Sequence, residues 1–218
     1  MADRWRARDR LLEVVAVVLL GVATVGTAWC ALQSSLWSGE SDRVTASAAS
    51  QRVEANRLFG VATQALSYDA SMVSDYAQAV ATGNEKLQLF YRQVLVRSGF
   101  RPFLDEWEKD VAEGKLPPNL LEDEEYVSGL MAPYQQKLAE ADASSDRAQA
   151  AGRTSDLYVL TTVLLAVSLF FAGVTASFRS PTMRVLLLVG GLATLAVATG
   201  HLIDLPVAAG TFSLFGLN

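Results

Sequence analysis

The chain has 218 residues, of which 51% are apolar, a net charge of −5, one cysteine and one histidine. One cysteine excludes an intrachain disulfide, and one histidine leaves a histidine-built metal site short of ligands. Nothing resembles the basic stripe of a nucleic-acid-binding protein, and the acidic runs Asp105–Glu108 and Glu122–Glu125 read as solvated faces or turns.

In chain order, residues 1–10 form a short basic N-terminus carrying Arg4, Arg6, Arg8 and Arg10. Leu11–Leu32 is the first of three apolar runs; the others are Leu157–Phe178 and Val185–Ile203. As helices these are about 28–33 Å long, which matches the hydrocarbon thickness of a bilayer. They divide the chain into spans at 11–32, 157–178 and 185–203, a domain-sized polar segment at 33–156, a short turn at 179–184 and a tail at 204–218. A cleaved signal peptide is the alternative for the N-terminus, with Gly26 and Ala28 as a small-x-small site. Against it, the apolar run is longer than a usual signal core and continues past that site. Bulky Trp29 before Cys30 excludes a lipoprotein cysteine.

Arginines flank the first span and, as Arg179 and Arg184, the second connection, whereas no Lys or Arg follows the third span. The positive-inside rule then places the N-terminus and the 179–184 turn in the cytoplasm, and the polar segment and tail outside. Trp5, Trp29, Trp37 and Tyr158 fall near span ends, as an aromatic belt would.

Ser41–Ala81 contains no proline, one glycine and a 3-4 apolar stripe running through Val44, Ala48, Ala55, Leu58, Ala62, Asp69, Met72, Tyr76 and Ala79. Traced backwards, the register meets Ser34, Cys30, Thr27, Ala23 and Ala16. One helix is expected from about Trp5 to Ala81. A second is expected from about Pro133, placed in a first helical turn, to Phe178. Its stripe of Met131, Tyr134, Leu138, Ala141, Ser145, Ala148, Gly152 and Ser155 continues through Val159, Thr162, Ala166, Leu169 and Gly173. Both seams are small, which suits close helix packing in lipid. Between them, Asn84 caps a helix to Arg97 with Leu87, Phe90, Tyr91, Val94 and Leu95 on its apolar face. Ser98–Gly99 turns, and Pro102 opens a short helix with Phe103, Leu104, Trp107 and Val111 inward, closed by Gly114. Leu116–Leu121 is a loop, and no strand pattern is present. The fold class is an all-α integral membrane protein with a helical extracytoplasmic bundle.

Candidate chemistry is sparse. His201 and Asp204 share a helix face at the end of the third span, and Asp156 falls at the mouth of the second. Such a group can relay protons or assist an ion, but residues at span ends are more often wet interface positions. Glu13, one turn into the first span, reads as an interface residue or a partner of a neighbouring arginine. Cys30 reads as a packing residue, and Gly190–Gly191 as a close-packing pair rather than a broken transport helix. Arg101–Pro102–Phe103 with Trp107 reads as core before binding patch. No phosphate loop, nucleophile elbow or metalloprotease motif is present, and no cofactor is implied.

Asp9–Arg10–Leu11–Leu12–Glu13, Trp37–Ser38–Gly39–Glu40, Phe90–Tyr91–Arg92 and Tyr158–Val159–Leu160 with Leu169–Phe170–Phe171–Ala172–Gly173 resemble a group of small three-span bacterial membrane proteins of unknown function. The resemblance implies a bacterial inner membrane and three spans, and carries no functional residues. In outline, two spans bracketing a helical bundle also look like bacterial sensor modules, but a cytoplasmic output region is lacking. The expected function is non-enzymatic: a scaffold or accessory subunit in the lipid bilayer, acting through helix packing as a homo-oligomer or with a membrane partner. The alternatives are a small oligomeric channel or transporter, and a sensor that signals through another protein.

Overall fold

The structure, a computed structural model, describes residues 2–115, 119, 123–178 and 180–208, with side chains from Arg10 onward except at Leu11. The expected loop at Leu116–Leu121, Arg179, the tail beyond 208 and the side chains of Arg4, Trp5, Arg6 and Arg8 lie outside the described residues. Those described form five α-helices, one π-helical turn and no strand: α1 (Ala2–Ala81), α2 (Glu85–Phe90), the π turn (Tyr91–Leu95), α3 (Arg101–Ala112), α4 (Glu124–Thr175) and α5 (Pro181–Asp204). α1, α4 and α5 are long and apolar enough to cross a membrane. The chain divides into two compact units, Met1–Ala46 with Ser144–Asn218, and Ser47–Ala143. The polar unit is therefore shorter at both ends than the 33–156 segment.

α1 runs unbroken for 80 residues because its interior lacks proline. It ends where Gly83 takes a positive φ of 64°, which lets the Asn84 N–H reach the Ala79 carbonyl at 3.0 Å. The Asn84 side chain then accepts from the Leu87 N–H at 3.2 Å and opens α2, so one residue closes one helix and caps the next.

The structure departs from the expected elements in three places. First, the helix from Asn84 does not reach Arg97. It widens into the π turn, closed by Val96 N–H to Tyr91 O at 3.0 Å, and Val96 is extended. Tyr91, Leu95 and Val96 pack inward, whereas Leu87, Phe90 and Val94 are exposed. Second, in α3 Phe103, Leu104 and Trp107 join the core but Val111 is exposed. Third, α4 begins nine residues before Pro133. Asp123 caps it, accepting from the Tyr126 N–H at 2.9 Å, and the added turns carry Tyr126, Val127 and Leu130 onto the core. Mid-helix proline costs about 3 kcal/mol; burying Tyr126 and partly burying Val127 and Leu130 offsets it.

In the polar unit the core is Met72, Tyr76, Val96, Phe100, Leu104 and Tyr126. Tyr126 meets Phe100 and Phe103 edge-on, with ring centroids 5.4 and 4.8 Å apart. In the apolar unit the N-terminal part of α1, the C-terminal part of α4 and α5 pack together. Leu19, Ala172 and Leu188 form one cluster, and Ala23, Cys30, Tyr158, Leu165 and Ala198 another. Gly191 sets the closest approach: a Cβ there would lie 2.9 Å from Leu19 Cδ2 and 3.4 Å from the Ser168 carbonyl. Ser168 Oγ donates to the Gly191 carbonyl at 2.8 Å, tying α4 to α5.

Gly191→Leu is therefore expected to overpack the unit and cost about 1–3 kcal/mol. Gly200, with no atom within 4 Å of a built Cβ, should accept leucine within about 0.5 kcal/mol. Denaturant titration of the detergent-solubilised variants measures both.

Candidate functional site

The residues singled out by sequence do not converge. His201, Asp204 and Asp156 are each exposed, and no hydrogen bond or ion pair joins their side chains. Among the described residues no group of three His, Cys, Asp or Glu could hold a metal ion. Glu13 is exposed, and Cys30 is fully buried. α5 passes unbroken through Gly190–Gly191, whose missing side chains admit Phe171 and Leu19. Arg101 is exposed, while Phe103 and Trp107 belong to the core.

Along the α1 seam, Ala23 and Cys30 are buried and Ala16, Thr27 and Ser34 are half-buried. On α4 the register differs from the expected one. The buried face is Ala151, Ser155, Tyr158, Thr161, Leu165, Ser168, Ala172 and Thr175, whereas Ala166 and Gly173 are exposed. The step after Ser155 is three residues to Tyr158, not four to Val159. Tyr158 is drawn inward because its hydroxyl donates to the Pro206 carbonyl at 3.2 Å, a partner that belongs to another part of the chain. Tyr158 is accordingly a packed residue, not an interface aromatic.

Polar side chains do gather where α1 and α4 leave the apolar unit's core. Ser34 and Ser155 share a hydrogen bond of 3.0 Å, and Ser41 Oγ donates to the Ala148 carbonyl at 2.9 Å. Trp37 Nε1 donates to the Pro206 carbonyl at 3.0 Å. The fully buried Gln33 accepts from the Ala208 N–H at 2.9 Å. Beside this cluster lies an open groove of about 750 Å³, lined by Ser34, Ser35, Ser38, Asp42, Ser155 and Thr162 among others. It offers hydroxyls and one carboxylate but no imidazole or amine to activate them. That inventory supports hydrogen bonding to a polar surface, not nucleophilic catalysis.

The polar unit holds a second cluster that sequence reasoning missed. Asp69 is 1% exposed. Arg97 Nε donates to its Oδ1 at 3.0 Å, and Arg97 Nη2 and Tyr126 Oη both donate to Oδ2. Nearby, Arg92 pairs with Asp105 at 2.5 Å and with Glu108, and Tyr76 Oη donates to Glu108 at 2.5 Å. The signal was available: a carboxylate at a core position of an apolar stripe demands buried partners.

Burial, and then the hydrogen bond to Glu108, push the Tyr76 hydroxyl up to about 12. Burial and Asp69 raise Tyr126 in the same direction. Below the ordinary tyrosine value of 10, folded and unfolded chains both keep these protons and the stabilisation is complete. Above it the unfolded tyrosines ionise first, so stability should fall as pH rises from about 10 to about 12. Tyr76→Phe should be less stable at pH 8 and show a shallower decline above pH 10, read by thermal unfolding of the full chain across that range.

No family model matches the chain, and neither a curated protein nor a solved structure does.

Proposed function

We propose that the chain is a non-enzymatic integral membrane protein, a scaffold or accessory subunit that acts through helix packing. The observation that carries this reading is where the hydroxyls of the apolar helices go. Thr24, Thr27, Thr161, Thr162, Thr175, Thr194 and Thr199 donate to carbonyls of their own helices, and Ser168 donates to Gly191 on α5. An unsatisfied polar group in lipid costs several kcal/mol, so these threonines return to their own helices while Ser168 ties α4 to α5.

The exposed side chains support a lipid-facing surface: Val18, Val25, Val163, Phe170, Leu186 and Val189 are each more than half exposed. Arg10 and Arg184, by the positive-inside rule, put the N-terminus and the α4–α5 connection in the cytoplasm. The polar unit and the chain after α5 are then extracytoplasmic. The sequence resemblance favours a bacterial inner membrane.

Ala166 and Gly173 face outward on α4, one seven-residue interval apart, and offer a small-residue surface to a second copy or a membrane partner. Ala166→Leu is therefore expected to leave the folded stability within about 0.5 kcal/mol of the parent. Self-association in lipid should weaken by about tenfold or more, equivalent to about 1.4 kcal/mol. Dilution of labelled protein in nanodiscs or liposomes, read by single-molecule subunit counting, gives both the state and the shift. A parent that stays monomeric at every dilution, or a variant that associates as the parent does, would remove α4 self-association from this reading.

A further inference from the structure

α5 stops at Asp204, and Leu205 continues as extended chain with φ −85° and ψ 135°. Pro206 has no N–H to donate, so the chain cannot resume helical bonding there. What holds the segment instead is recognition of its main chain by side chains of two other helices. The Pro206 carbonyl accepts from both Trp37 Nε1 and Tyr158 Oη, and the Ala208 N–H donates to Gln33 Oε1. Gln33 and Trp37 lie one turn apart on the same face of α1, and Tyr158 lies on α4, so the segment bridges the two. Leu205 packs against the cluster that contains Cys30 and Tyr158, and Ala208 is itself buried.

We propose that Leu205–Ala208 is a strap that latches shut the Trp37 end of the three-helix unit, and that its docking keeps Gln33 and Cys30 out of water. Two features make it a latch instead of a fixed part of the core. Among the described residues its polar attachment is three neutral hydrogen bonds, each worth roughly a factor of two to ten in an equilibrium, so the docked state is favoured but can open. Its outer side is exposed: Val207, within the strap, is 44% accessible. This inference rests on the geometry of the apolar unit and stands apart from the scaffold reading.

Cys30 is the single cysteine and is fully buried, so it reports on the latch without added labels. The test is the rate at which Cys30 in nanodisc-embedded protein reacts with a small water-soluble methanethiosulfonate. In the parent it should react at least tenfold slower than in SDS-denatured protein. Ala208→Pro removes the N–H that Gln33 accepts, and Trp37→Phe removes one donor to Pro206 while keeping a ring. Each should raise the rate threefold or more, and Val207→Ala, which touches none of the three bonds, should not change it. Elution volume identifies a misassembled variant; if Ala208→Pro is one, Trp37→Phe decides. A parent rate equal to the denatured one, variants at the parent rate, or an equal rise in Val207→Ala would each overturn the proposal.

Discussion

A polar atom withdrawn from water must find a hydrogen-bond partner, and in this chain that requirement decides which segments meet. In the polar unit the atom is the carboxylate of Asp69, held at an apolar position of α1. Alone, a buried carboxylate is worth several kcal/mol of destabilisation. Arg97 and Tyr126 supply three hydrogen bonds to it, and bonds to a charged group contribute about 1.5–3 kcal/mol each. Arg97 keeps part of its side chain in water, 38% exposed, so its own desolvation is incomplete. Bringing those partners to Asp69 requires the chain to leave the π turn at Val96 and requires α4 to start early enough to present Tyr126. The cluster thereby joins α1, the segment after the π turn and α4.

The apolar unit obeys the same requirement with neutral groups. Ser168 finds a carbonyl of α5, Ser34 and Ser155 find each other, and Gln33, Trp37 and Tyr158 find the backbone after α5. Hydroxyls without a partner helix return to their own helix. Val18, Val25, Val163, Phe170, Leu186 and Val189 remain on the outside of these helices. On the scaffold reading proposed above these bonds serve packing, whereas a transport path would need polar groups free to exchange partners with a passing ion. His201, Asp204 and Asp156 are exposed, and no hydrogen bond joins their side chains.

Local signals made the helices legible in the sequence. The absence of proline and the cap at Asn84 placed α1 and the start of α2, while the apolar run Val185–Ile203 placed the body of α5. Two of the misreadings share a cause: each depended on a contact remote in sequence. Pro133 looked like a first-turn residue because the reason to begin at Asp123 is Tyr126 meeting Asp69, 57 residues away. The α4 register slipped at Ser155 because Tyr158 is set by Pro206, 48 residues on. The π turn left no periodic trace, since a five-residue insertion of one extra residue per turn is shorter than the window a 3.6-residue pattern needs. The candidate site suffered most. Gln33 carries no local signal in the sequence, and only the folded chain brings Ala208 to it, 175 residues later.

The account's central claim is that the apolar helices hold one another and do not conduct. Flux through the purified protein in liposomes, read with proton-, potassium- and chloride-sensitive dyes between about pH 5.5 and 7.5, tests it most directly. The expected result is leakage no faster than from protein-free liposomes at every pH, and unchanged in His201→Gln. Ion-selective flux that scales with protein density, and a pH dependence that disappears in His201→Gln, would contradict the account and establish a transport pathway.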